Sequence, residues 1–82
     1  MVTSEFVDSF KKKYRKLKDM PLKQKVKNQI QKIIQNPEIG KPMSFERKGT
    51  REVYISSFRL CYQFIEQEDK VIFVDLYHKD EQ

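Results

Sequence analysis

The sequence predicts an α+β domain in which an N-terminal antiparallel helix pair packs on one face of a small antiparallel sheet of three to four strands. Three observations predict it. Up to residue 35 the apolar residues recur every three to four positions, the period of a helix. Both glycines and two of the three prolines fall within residues 37–50, which reads as loop. Beyond Gly49 the apolar residues alternate, the period of a strand. One domain covers residues 1–82, with the helical hairpin over 5–35 and the sheet over 51–77.

The first helix is expected over residues 5–19. Phe6, Phe10, Tyr14 and Leu17 form one stripe, Thr3 or Ser4 serves as N-cap, and Glu5 and Asp8 suit the positive end of the helix dipole. Only Met1, Val2 and Thr3 precede it. Asp19-Met20-Pro21 breaks the pattern, and Pro21 fits the first turn of a second helix. Leu22, Val26, Ile30, Ile33 and Ile34 make its apolar stripe, and Asn36-Pro37 stops it, because a residue before proline is pushed out of the helical region. So short a connection makes the pair antiparallel. Within the following loop a brief extended piece is expected near residues 44–46.

Three strands then follow as a meander. Val53 and Ile55 alternate with Glu52 and Tyr54; Phe58, Leu60, Tyr62 and Phe64 alternate with Arg59, Cys61 and Gln63; Ile72, Val74 and Leu76 alternate with Phe73, Asp75 and Tyr77. The apolar set of each strand is expected beneath the helices, and residues 66–70 form a charged hairpin loop. The opposite face then carries Tyr54, Arg59, Cys61, Gln63, Phe73, Asp75 and Tyr77 without cover. A central arginine flanked by aromatics marks that open face as the place for a ligand.

Composition narrows the function. A domain of 82 residues leaves no room for a second core or a deep cofactor cavity. The single cysteine, Cys61, excludes an internal disulfide framework, and one Cys with one His is too few soft ligands for a structural zinc site. No apolar run approaches the ~20 residues of a membrane span, and the N-terminus lacks a secretory signal pattern. A cytoplasmic protein without cofactor, metal or membrane contact is expected. Residues 1–36 hold ten basic and three acidic side chains, net +7, whereas 37–82 hold seven and nine, net −2. Basic charge gathered on one segment suits a polyanion such as nucleic acid or an acidic protein segment, and equally a solvated helix face.

Four segments in order carry a resemblance: Asn36-Pro37-x-x-Gly40-Lys41-Pro42, then Lys48-Gly49-Thr50-Arg51-Glu52-Val53-Tyr54-Ile55, then Phe58-Arg59-Leu60-x-Tyr62, and last Leu76-Tyr77-His78-Lys79-Asp80-Glu81-Gln82. Together they resemble the RelE/ParE toxin superfamily of toxin–antitoxin systems over about residues 5–82, and the closing segment is similar to an archaeal branch of it. Two features depart from the pattern. Relatives begin with a strand before the first helix. The RelE nucleases carry basic residues where this chain has Glu52 and Tyr54, and a C-terminal tyrosine that has no counterpart here.

The resemblance implies a RelE-like fold and a toxin that cleaves messenger RNA on the ribosome without a metal, by attack of the RNA 2′-hydroxyl on the adjacent phosphate. Its partners would be the ribosome with its mRNA and a cognate antitoxin protein. By the same resemblance Arg59 and Lys79 are candidate catalytic residues, and His78, the only histidine, joins them because it is expected just past the last strand beside the open face. Arg59 would hold phosphate oxygens with its planar fork, His78 would transfer a proton near neutral pH, and Lys79 would contact phosphate or the leaving group. Arg47, Lys48, Arg51, Tyr54 and Tyr77 are candidate RNA contacts, by charge or by stacking. Each has a plainer reading: Arg59 as a strand residue paired with Glu52 or Asp75, Glu52 as a partner for Arg51, Lys79 as a solvated tail. Two other functions remain open, a ParE-like toxin that inhibits DNA gyrase by binding, and a degenerate RNA-binding domain without toxicity.

Overall fold

The computed structural model describes residues 2–43 and 49–81. The elements are β1 (Thr3–Phe6), α1 (Asp8–Lys16), α2 (Met20–Gln35), β2 (Lys41–Pro42), β3 (Thr50–Ile55), β4 (Phe58–Ile65) and β5 (Lys70–His78), with 3-10 turns at Glu66–Glu68 and Lys79–Glu81. They form one five-stranded sheet in the order β1-β5-β4-β3-β2, with both helices against one face. The expected α+β architecture stands, with more strands than expected and a mixed sheet, because β1 runs parallel to β5.

That strand corrects the expected start of the first helix. Residues 3–6 are extended, and α1 begins at Asp8 after Val7, whose side chain makes no capping bond. Thr3 N donates to Asp69 O at 2.9 Å, just before β5, and Val7 N to Phe73 O at 3.2 Å within it, so the backbone there satisfies a segment that a helix would have satisfied internally. Phe6 still reaches the core, stacking on Phe73 with centroids 4.9 Å apart. This is why its spacing to Phe10 and Tyr14 imitates a helical stripe.

α2 forms as its sequence dictates. The Asp19 carboxylate accepts from Leu22 N at 3.1 Å, Pro21 sits in the first turn, and Asn36 ends the helix. Its buried residues are Val26 and Ile33. They join Phe10, Ile55, Leu60, Tyr62, Val71, Phe73 and Leu76 in one core. In β5 the inward residues are therefore Val71, Phe73 and Leu76, where Ile72, Val74 and Leu76 were expected, and Phe73 belongs to the core rather than to the open face. The reason is a bulge. Cys61 pairs with Asp75 but Tyr62 pairs with Phe73, so Val74 is an extra residue and the alternation reverses across it.

The loop after α2 is clasped from below. The Tyr62 hydroxyl accepts from Gly40 N at 2.9 Å and donates to Pro37 O at 2.6 Å. A Cβ on residue 40 would lie 2.8 Å from the Tyr62 ring, so only glycine lets the chain approach this closely. Arg51 Nη1 holds the same loop from β3, donating to Glu38 O at 3.1 Å and Gly40 O at 2.9 Å. The loop then runs straight into β2, which covers only Arg51 and Glu52 of β3. The extended piece expected near 44–46 lies outside the described residues.

Tyr62→Phe removes both hydroxyl bonds and leaves the buried Gly40 N–H without its acceptor, at a cost of about 1–3 kcal/mol. Urea titration should show a lower midpoint with an unchanged slope. Burial raises the Tyr62 phenol above its ordinary 10.0, against the opposing pull of the Gly40 N–H bond and the Arg51 charge. The hydrogen bond to Glu5 likewise raises Lys70 above 10.5. Both groups hold their protons more tightly folded than unfolded. Their contribution is full below those ordinary values and is lost as pH rises through the folded ones. Stability should fall on raising the pH above about 10, and fall less steeply in Tyr62→Phe, where the Lys70 contribution remains and the Tyr62 one is gone; urea midpoints across that range test this.

Candidate functional site

Strand register sets out the face turned away from the helices. Tyr54, Arg59 and Tyr77 form one cross-strand row, and Glu52, Cys61 and Asp75 form the next. Arg59 lies at the centre. Its guanidinium sits over the Tyr54 ring, 4.0 Å from the centroid, a cation–π contact. Its Nη1 donates to Phe58 O at 3.1 Å and Ser56 O at 3.4 Å. Neither Glu52 nor Asp75 pairs with it. Asp75 instead accepts from Lys13 Nζ of α1 at 2.6 Å and from Leu76 N at 2.8 Å. Among the described residues Arg59 has no carboxylate partner.

The rest of the face is less open than expected. The Tyr77 hydroxyl donates to the Glu52 carboxylate. Both are nearly sealed, at 4% and 3% exposure, and Cys61 beside them at 5%. Glu52 is therefore the acceptor for Tyr77, while Arg51, its expected partner, is turned to the loop carbonyls. Tyr54 is 58% exposed, so of the two tyrosines it alone offers a ring surface to a ligand. The alternation of β3 and β5 already places Glu52 and Tyr77 on one face; their hydrogen bond depends on the register between strands, which the sequence does not state.

His78 is not brought to Arg59. It is the cross-strand partner of Phe58, and its ring meets the Phe58 ring edge-on at 5.3 Å. Phe58 packs on the helix-side core, and successive strand residues face opposite ways. His78 therefore lies on the helix side, in a pocket of about 300 Å³ with Asp19, Pro21, Leu22 and Lys25 at the start of α2. Its Nδ1 accepts from Asp80 N at 3.2 Å. The expectation that it stands beside the open face fails because β5 runs on through residue 78, so the alternation still governs it. Lys79 is exposed at the end of the strand and donates its backbone N–H to Ser57 O at 2.8 Å, which anchors the tail to the β3–β4 turn. Arg47 and Lys48 lie outside the described residues.

On the helix side a groove of about 630 Å³ opens between α1, α2 and β1. Phe6, Phe10, Tyr14 and Ile30 line it, with Lys11 and Arg15 among the polar residues around it. Among the described residues no group of three or more His, Cys, Asp or Glu side chains could hold a metal ion. Nor is any described helix long and apolar enough to cross a membrane.

No curated protein matches the chain in sequence. Solved structures do match its fold. The toxin–antitoxin complex RelBE of Escherichia coli contains a chain with TM-score 0.81 and 19% identity, covering 95% of this chain and 96% of that one. The YoeB/ParE toxin from Agrobacterium tumefaciens gives TM-score 0.83 at 14% identity, covering 94% and 98%. The RelBE2 toxin–antitoxin complex from Mycobacterium tuberculosis gives 0.80 at 23%, covering 94% and 96%. At these identities the likeness is one of fold. The family follows from the sequence itself, which over residues 3–82 matches the family described as ParE toxin of type II toxin-antitoxin system, parDE. The chain is a member of that family, within the wider RelE/ParE toxin superfamily.

Proposed function

We propose that this protein is the toxin of a type II toxin–antitoxin module and that it cleaves messenger RNA on the ribosome, with Arg59 as the group that meets the scissile phosphate. The observation that carries this reading is the setting of Arg59: a guanidinium without a carboxylate partner among the described residues, on the face turned away from the helices, over the ring of an exposed tyrosine. A cation beside an accessible ring suits a ligand that is itself a phosphate beside a base.

The chemistry needs no metal. The RNA 2′-hydroxyl gives up its proton and its oxygen attacks phosphorus. The bond to the 5′-oxygen breaks, that oxygen takes up a proton, and a cyclic phosphate and a 5′-hydroxyl result. Negative charge grows on the phosphoryl oxygens, and a fixed cation aimed at it is commonly the largest single contribution. Arg59 supplies that cation. Tyr54 stacks a base, and Lys79 contacts phosphate or protonates the leaving oxygen. Tyr77 and Glu52 are too deeply sealed to touch RNA, and they brace the sheet beneath Arg59. His78, across the sheet, is left out of this set. A cognate antitoxin is the natural occupant of the groove between the helices, whose apolar lining and basic residues suit an acidic amphipathic segment.

One observation favours a second reading, a ParE-like toxin that inhibits DNA gyrase by contact. With His78 on the helix side, no imidazole stands next to Arg59 to shuttle a proton at neutral pH. A binding toxin has no need of one.

Primer extension on translated and untranslated transcripts, after induction of the toxin alone, separates the two. The nuclease reading expects new 5′ ends only in the translated message. Arg59→Ala should lower cleavage by about 10²–10³-fold, and His78→Ala should leave it close to wild type. Growth arrest with intact messages and double-strand DNA breaks would instead establish the binding toxin.

A further inference from the structure

We infer that Tyr54 is a positioning residue for Arg59: its ring and the carbonyls of Ser56 and Phe58 clamp the guanidinium so that the Nε–Nη2 edge is the one presented to a phosphate. This rests on the reading of Arg59 as the phosphate-binding group, and it adds which edge of that group does the binding and what holds it there.

A guanidinium has five N–H donors, on Nε, Nη1 and Nη2. Nη1 is spent on the hairpin, donating to Phe58 O at 3.1 Å and Ser56 O at 3.4 Å. One flat side is spent on Tyr54, 4.0 Å from the ring centroid. The edge formed by Nε and Nη2 makes no bond to any of the described residues. It carries two parallel N–H groups, the fork that matches two phosphate oxygens. A free arginine on an exposed strand samples many rotamers, and ordering one of them costs conformational entropy on binding. Here the ordering is already done by three contacts within a single β3–β4 hairpin.

The hairpin is built for this. Ile55 pairs with Phe58, so only Ser56 and Ser57 form the turn, and Ser56 adopts a left-handed conformation with φ 53°. That tight reversal keeps the Ser56 carbonyl within reach of Arg59 three residues later. The direct pairing of Tyr54 with Arg59 brings the ring under the guanidinium. Tyr54 is 58% exposed, so the contact does not serve the core.

The Arg59 Nε–H signal in a nitrogen–proton NMR spectrum reads the clamp directly, whatever the toxin does. The wild type should show it displaced by the ring current. Tyr54→Phe should preserve it, and Tyr54→Leu should return it to the position of a free arginine side chain. Tyr54→Thr, a strand former without a ring, serves as a second removal. On ribosomes, Tyr54→Leu should cleave roughly two- to fivefold more slowly at saturation than Tyr54→Phe, the scale of an exposed cation–π contact. An unchanged Nε–H signal in both Tyr54→Leu and Tyr54→Thr would overturn the inference, as would a Phe variant that behaves like Leu. Failure of the nuclease reading looks different: no cleavage by wild type, or full cleavage by Arg59→Ala, with the NMR arms still deciding the clamp.

Discussion

A single extra residue, Val74, sets the relation between core and site. β5 is a central strand, bonded to β1 on one side and β4 on the other, and it bulges where Cys61 pairs with Asp75 and Tyr62 with Phe73. Before the bulge, Val71 and Phe73 point to the helices; after it, Leu76 does. Without it, Phe73 and Tyr77 would share a face. With it, Phe73 packs against Phe6 and Phe10 while Tyr77 turns outward to Glu52 beside Arg59. The same reversal carries His78 to the helix side.

The segments that identify the family act largely as structure. Pro37 and Gly40 meet the Tyr62 hydroxyl, and Arg51 closes over the same loop by its carbonyls. Four separated positions thus form one clasp that fixes β2 and with it the edge of the sheet. Their recurrence in order along the chain reflects a geometric need for a small residue, an acceptor carbonyl and two long donors. Arg59 and Tyr54 are different: they have no part in the core, and their contact stands on the surface. The motif that reveals the fold and the pair that offers chemistry are therefore separate sets of residues, held in register by β3 and β4.

Charge follows the same division. The basic surplus of residues 1–36 lies on the helices, where Lys13 reaches Asp75 on β5 and Lys11, Arg15 and Lys27 line the groove between the helices. On the sheet face Arg59 has no carboxylate partner among the described residues.

The sequence by itself determined the local elements and the composition of each face. Helical spacing and Asp19-Met20-Pro21 define α2, the two-residue period defines β3 and β4, and alternation puts Glu52, Tyr54, Arg59 and Tyr77 together on the side away from the helices. These properties arise between residues a few positions apart, so a local pattern contains them. Only the tertiary structure decided the rest. Residues 3–6 became a strand because β5, more than sixty positions away, offered backbone partners. The bulge set which residues of β5 face the core, since a pattern as apolar as Val71 to Val74 is compatible with either register. Arg51 went to the loop and Glu52 to Tyr77, and His78 parted from Arg59, because each partner is chosen by the distance between strands rather than along them.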